Sequence, residues 1–110
     1  MDRKSKEQLI YRQGDVALVR LPEGSVPTGA QSVRENGRII LAHGEVTGHA
    51  HEVVGGEAEL WEAAGLRYLT VERISELTHQ EHGTITVHPG VYEVRRQREY
   101  SPEEIRQVAD

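Results

Sequence analysis

Residues 33–42 read VRENGRIILA and carry the strongest turn signal in the chain. The dipeptide Asn36-Gly37 readily adopts the positive φ angles of a type I′ turn, whose twist matches that of two antiparallel strands. The aliphatic run from Ile39 to Ala42 that follows is typical of a strand. We therefore predict a β-hairpin over residues 33–42, and with it antiparallel β-structure.

Short apolar runs separated by turn residues continue on both sides of this hairpin. The β-rich apolar run Val16–Leu21 predicts a buried strand. Before it, Gln13-Gly14-Asp15 is typical of a turn, and we interpret Asp15 as a turn residue rather than an acid catalyst. The alternation around Ile85 and Val87 places both on one face. Further strands are predicted at 9–11, 49–54, 59–62, 66–71 and 91–97, and residues 74–77 fit either a short strand or a helical turn.

The number of short strands and the lack of a long helical period indicate the fold class. We predict an all-β fold, a small antiparallel β-barrel or sandwich of about eight short strands. Ser101-Pro102-Glu103-Glu104 has a serine cap followed by proline and glutamate, which predicts one short C-terminal helix. Residues 1–8 are expected to form a flexible arm, and residues 9–110 a single β domain.

The composition restricts the classes of function. The 110 residues fit one domain with a modest core. The absence of cysteine excludes thiolate metal sites, thiol nucleophiles and disulfides, and is compatible with a reducing cytoplasm. A formal net charge of −5 argues against a protein that binds nucleic acid with its whole surface. Since we find no apolar run typical of a signal peptide or a membrane span, we expect a cytoplasmic protein that does not bind membranes.

The histidines are concentrated in the middle of the chain, with all six between positions 43 and 88. His49 and His51 are two residues apart, so on a strand they would project from the same face. His79 and His82 form a second close pair, and neighbouring elements could bring all four imidazoles into one pocket. The other two, His43 and His88, are expected to be solvated or hydrogen-bonded strand residues.

Four imidazoles without a thiolate favour a divalent transition metal, Zn, Ni, Fe or Cu, over Mg or Ca. We therefore predict a metal site built from His49, His51, His79 and His82. The protein would then be a metalloenzyme or a metal-dependent sensor of a small-molecule ligand. Histidine pairs that are solvated or hydrogen-bonded without any ligand are the alternative. Thr47 and Ser101 have no evident base beside them, which argues against nucleophilic catalysis, and no catalytic residue is identified.

The segment from Gly44 to about residue 90 resembles the cupins in outline. That family consists of small β-barrels whose metal is held by a His-x-His pair, a later glutamate and a later histidine. Only His49 and His51 match, because four residues rather than five separate Gly44 from His49 and Glu57 falls late for the carboxylate. The strings GEVTGHAH and QREY also resemble stretches of small bacterial proteins without an assigned function.

An arginine-rich stretch near the end of the chain supports a second interpretation. Arg95, Arg96 and Arg98, with Tyr100 beside them, could contact phosphates and stack on a base. The protein would then be a non-catalytic module that binds nucleic acid or a partner protein. An exposed edge strand protected by charge explains the same residues without a partner. The sequence also leaves homo-oligomer formation open.

Overall fold

The computed structural model describes residues 10–44 and 46–96, which form ten β-strands in two antiparallel sheets. The strands are β1 (Ile10–Gln13), β2 (Val16–Leu21), β3 (Gln31–Ser32), β4 (Ile39–His43), β5 (Ala50–Val54), β6 (Glu57–Ala63), β7 (Leu66–Arg73), β8 (Ser75–Thr78), β9 (Ile85–Val87) and β10 (Gly90–Arg96). The larger sheet has the order β1-β2-β10-β7-β6-β3, and the smaller has the order β4-β5-β8-β9. The predicted all-β class is confirmed.

The two sheets share one hydrophobic core. Leu18 and Leu69 of the larger sheet are fully buried, as is Leu77 of the smaller sheet, and all three belong to the same apolar cluster. Burial of each such side chain contributes about 1.5–3 kcal/mol to folding. Of the two predicted architectures, the described residues form an open two-sheet arrangement rather than a closed barrel.

The hairpin predicted over residues 33–42 is confirmed at its turn and wrong in its strands. Asn36 and Gly37 have φ angles of 53° and 77°, as a type I′ turn requires. Only one bridge, between Glu35 and Arg38, closes the turn. Beyond this bridge the segments on either side of the turn do not pair with each other. β3 pairs with β6 in the larger sheet, whereas β4 pairs with β5 in the smaller one. The turn therefore carries the chain from one sheet to the other.

Of the remaining sequence predictions, some are confirmed and two lie outside the described residues. Val16–Leu21 is a strand as predicted, and residues 74–77 fall largely on β8 rather than on a helical turn. Val87 is buried and Ile85 packs against the core, as the alternation predicted. The predicted arm at 1–8 and the predicted helix from Ser101 both lie outside the described residues, and the described part of the chain contains no helix. It therefore also contains no helix that could cross a membrane.

The pairing of β5 with β8 positions the histidines. The register places Glu52 opposite Thr78, so one further step sets His51 opposite His79 just after β8 ends. The turn between β1 and β2 approaches the same place, because the Gln13 side chain reaches the backbone carbonyl of Leu77 in β8. The site is thus assembled from three segments that are distant in sequence.

Candidate metal centre

The structure brings all four histidines of the predicted site together. The His79 ring lies between the others, with its centroid 4.3 Å from that of His51 and 4.6 Å from that of His82. The His49 ring meets His79 edge-on at 5.8 Å, and the centroids of His51 and His82 are 5.9 Å apart. Both close pairs therefore contribute to a single group, which we call the histidine cluster.

The histidine cluster runs from the interior to the surface. His51 is buried, with 2 % of its surface exposed. His49 and His79 are half-buried, and His82 is exposed. The outer rings therefore face solvent, whereas His51 is enclosed by the fold.

Gln13 determines which nitrogen of His51 carries the proton. The Gln13 amide nitrogen donates to the carbonyl oxygens of Leu77 at 3.0 Å and Gly83 at 2.9 Å. The Gln13 carbonyl oxygen, Oε1, lies 2.9 Å from Nδ1 of His51. Because this oxygen can only accept, Nδ1 of His51 must donate to it. In the neutral ring the lone pair is then on Nε2.

Burial keeps the His51 ring neutral. Loss of solvent lowers the pKa of His51 to about 4, and repulsion from His79 adds to the shift while Asp15 opposes it. The pKa of His79 is also lowered, first by burial and then by the charges of His82 and His49. Neutral imidazoles are the form that can donate a lone pair to a metal.

Asp15 lies on the other side of the His51 ring, and sequence reasoning missed it as a site residue. Its Oδ1 is 3.5 Å from Nε2 of His51, and its Oδ2 accepts from Nε of Arg96 at 2.9 Å. Burial raises the pKa of the Asp15 carboxyl, but the hydrogen bond and charge of Arg96 outweigh this and hold that pKa below its usual range. Asp15 is therefore a carboxylate at neutral pH.

The other half-buried rings are held by the loop between β8 and β9. Nδ1 of His79 accepts from the backbone N–H of Glu81 at 3.0 Å, and the Glu81 carboxylate lies 3.4 Å from Nδ1 of His49. Gln80 accepts from the backbone N–H of Ala50 at 2.9 Å, which ties this loop to the start of β5. The loop therefore fixes the position of one histidine pair against the other.

Two glycines allow the rings to approach the backbone. A β-carbon on Gly14 would lie 2.8 Å from Nε2 of His82 and 3.2 Å from Cε1 of His51. One on Gly44 would lie 3.1 Å from Cβ of His49 and 3.4 Å from Nε2 of His79. The cluster is thus packed directly against main chain on two sides.

The rings touch, but their donor atoms do not all point to one centre. Among the residues described, no group of three or more His, Cys, Asp or Glu side chains is already arranged to hold a metal ion. His79 shows the reason, because its Nδ1 accepts from Glu81 and its neutral ring then carries the proton on Nε2. Coordination by His79 therefore requires its ring to give up the hydrogen bond from Glu81.

The remaining histidines lie outside the cluster, whereas one arginine of the tail reaches its surroundings. His43 is exposed at the end of β4, with its Nε2 2.7 Å from Glu35, and His88 is also exposed. In the tail, Arg95 pairs with Glu93 at 3.0 Å and Arg96 pairs with Asp15, while Arg98 and Tyr100 fall outside the described residues. Arg96 is thereby part of the surroundings of the histidine cluster, and binding of nucleic acid or protein by the tail stays a prediction.

Fold and site together define a small antiparallel two-sheet β-protein with a histidine cluster beside its first hairpin turn. The chain belongs to a family described as a domain of unknown function (DUF8820), whose model matches residues 12–97. The match includes all four clustered histidines as well as Gln13 and Asp15. No curated protein and no solved structure matches the chain.

Proposed function

We propose that this protein binds a divalent transition metal, Zn, Ni, Fe or Cu, through His49, His51, His79 and His82. The observation that supports the proposal is the contact of three imidazoles with the ring of His79, with His51 buried and neutral. Burial of polar rings is unfavourable unless they are satisfied, and clustered rings repel one another when protonated. A bound cation satisfies the buried nitrogen and takes the place of the protons, because imidazole nitrogens are good ligands for these metals.

The position of the histidine cluster favours a role beyond structural support. The cluster reaches solvent at His82, so a small-molecule ligand has access to it. A bound metal of this kind would act as a Lewis acid toward such a ligand or toward water. Both a metalloenzyme and a metal-dependent sensor of a small ligand use this property. The resemblance of His49 and His51 to the cupin pair agrees with either role.

Metal analysis of purified, tag-free protein tests the proposal. We expect about one equivalent of tightly bound metal after loading with Zn²⁺ or Co²⁺ and removal of excess ion. The double variant His49→Ala/His51→Ala should lose this equivalent. The matched control, His43→Ala/His88→Ala, removes the same number of imidazoles at exposed positions outside the cluster and should retain it.

A second pair of substitutions protects the test against misfolding, because His51 is buried. His79→Gln/His82→Gln alters the more accessible rings and should also abolish tight binding while the circular dichroism spectrum stays that of the wild type. Full metal content in either cluster variant would contradict the proposed site. Failure of the wild-type protein to bind any of the four metals would contradict the function itself.

A further inference from the structure

The turn between β1 and β2 places two polar side chains on opposite edges of the His51 ring. Gln13 Oε1 lies 2.9 Å from Nδ1, and Asp15 Oδ1 lies 3.5 Å from Nε2. Gly14 between them has φ of 59°, a conformation that favours glycine, and its missing β-carbon leaves room for His82. The turn is therefore shaped around the histidine cluster.

The two edges of the His51 ring have different chemistry. Both hydrogens of the Gln13 amide are donated to backbone carbonyls, so Gln13 can only accept from Nδ1. This fixes the tautomer of His51 and leaves the lone pair of Nε2 on the side of Asp15. Outer partners of this kind orient metal-binding histidines and raise their basicity.

The distance between Nε2 and Asp15 Oδ1 fits a shared ion better than a direct hydrogen bond. At 3.5 Å it is longer than the roughly 2.7–2.9 Å of a charge-assisted N–H···O bond. Two neighbouring ligands bound at about 2.0–2.2 Å to one four- or five-coordinate metal lie roughly 3.0–3.6 Å apart. A carboxylate oxygen and an imidazole lone pair at this separation are spaced to share a cation.

We infer that Asp15 supplies a carboxylate ligand to the metal, adjacent to Nε2 of His51, with Gln13 as the positioning residue for that ring. The inference rests on the proposed function and makes the site a mixed imidazole–carboxylate centre rather than a purely imidazole one. Arg96 holds the second carboxylate oxygen at 2.9 Å, which directs Oδ1 toward His51.

Metal titration of full-length variants tests the role of Asp15. Asp15→Asn preserves the shape of the side chain, and it should weaken Co²⁺ and Zn²⁺ binding at least about 100-fold, the upper end of the effect of losing an outer partner. The visible spectrum of any Co²⁺ that still binds should change, because one ligand has been replaced. Asp15→Glu keeps a carboxylate and should bind more tightly than Asp15→Asn.

Two controls separate a ligand from a structural carboxylate. Glu57→Gln makes the same charge change in an arginine pair, here with Arg73 at 3.3 Å, and should leave metal affinity unchanged. Arg96→Gln breaks the ion pair between Arg96 and Asp15 but leaves the carboxylate in place. It should therefore weaken metal binding less than Asp15→Asn does. Equal losses in Arg96→Gln and Asp15→Asn would overturn the inference by showing that Asp15 acts through the ion pair.

Two further outcomes distinguish the inference from the proposed function. If the wild type and Asp15→Asn bind Co²⁺ equally well with the same spectrum, the inference is wrong while the histidine site stands. If the wild type binds none of the metals, the proposed function and the inference fail together.

Discussion

At the scale of single residues, Gly14 packs directly against the histidine cluster. Its φ of 59° is strained for any residue with a β-carbon, at a cost of about 1–2 kcal/mol. The added methyl group of Gly14→Ala would also meet Nε2 of His82 at 2.8 Å. We therefore expect this substitution to destabilise the fold by more than the backbone strain alone and to weaken metal binding, as measured by urea unfolding and Co²⁺ titration.

Gly37→Ala is the matched control for this prediction. Gly37 has φ of 77° in the type I′ turn, but a β-carbon there meets nothing within 4 Å. In the control the free energy of unfolding should fall only by the cost of the backbone strain, and metal should bind as it does to the wild type. Equal losses of stability and unchanged metal affinity in both variants would show that the β1–β2 turn does not hold the cluster.

At the scale of elements, Arg67 links the two sheets at an irregular point. It lies on β7 and donates to the carbonyl oxygens of Leu41 at 2.8 Å and Ile40 at 3.2 Å. The register of β4 against β5 shifts between Ile40 and Ala42, so these carbonyls belong to a bulge. Hydrogen bonds from a charged group contribute about 1.5–3 kcal/mol, so Arg67→Met should destabilise the protein by about 2 kcal/mol.

Hydrogen exchange locates the effect of Arg67→Met. Amides of β4 and its partner β5 should exchange faster relative to the rest of the core, because the bulge loses its support. Arg73→Met on the same strand removes an exposed pair with Glu57, which is worth less than about 1 kcal/mol, and serves as the control. Uniform changes in exchange, or equal destabilisation by both variants, would argue against a specific role of Arg67 at the bulge.

Strands and turns were predictable from the sequence where neighbouring residues alone indicate them. The apolar run of β2 and the alternation at Ile85 and Val87 report burial of a strand directly. The preference of Asn36-Gly37 for positive φ fixes a turn in the same way. The choice of pairing partner depends on the whole core, which is why a turn predicted correctly joins strands of two different sheets.

In the candidate site, too, local sequence signals were predictive and long-range contacts were not. The spacing of the two histidine pairs was enough to group His49, His51, His79 and His82. The contact of Gln13 with His51 spans 38 positions and depends on how the first hairpin packs against β8, so no local pattern indicates it. In the sequence Asp15 resembles an ordinary turn residue, and only its position beside Nε2 of His51 leads to the role that we infer for it.

For the whole molecule, the histidine cluster makes stability depend on pH even without metal. His51 has a pKa of about 4 in the folded protein, whereas an unfolded histidine titrates near 6.5. Between these values the unfolded chain binds a proton that the folded protein does not, so acidification favours unfolding. The contribution of His51 is therefore fully present above pH 6.5 and is lost as pH falls toward 4, amounting to about 3 kcal/mol at most.

Urea unfolding from pH 4 to 8 in the presence of a chelator measures this dependence. The free energy of unfolding of the wild type should be nearly constant above pH 7 and should decline below pH 6.5, with His79 adding in the same direction because its pKa is also lowered. His51→Gln removes the buried titrating ring and should flatten the decline. His88→Gln, at an exposed position, should leave it as in the wild type. The same slope in all three proteins would mean that His51 is not buried as a neutral ring. Its Nε2 would then lack the lone pair that metal binding beside Asp15 requires.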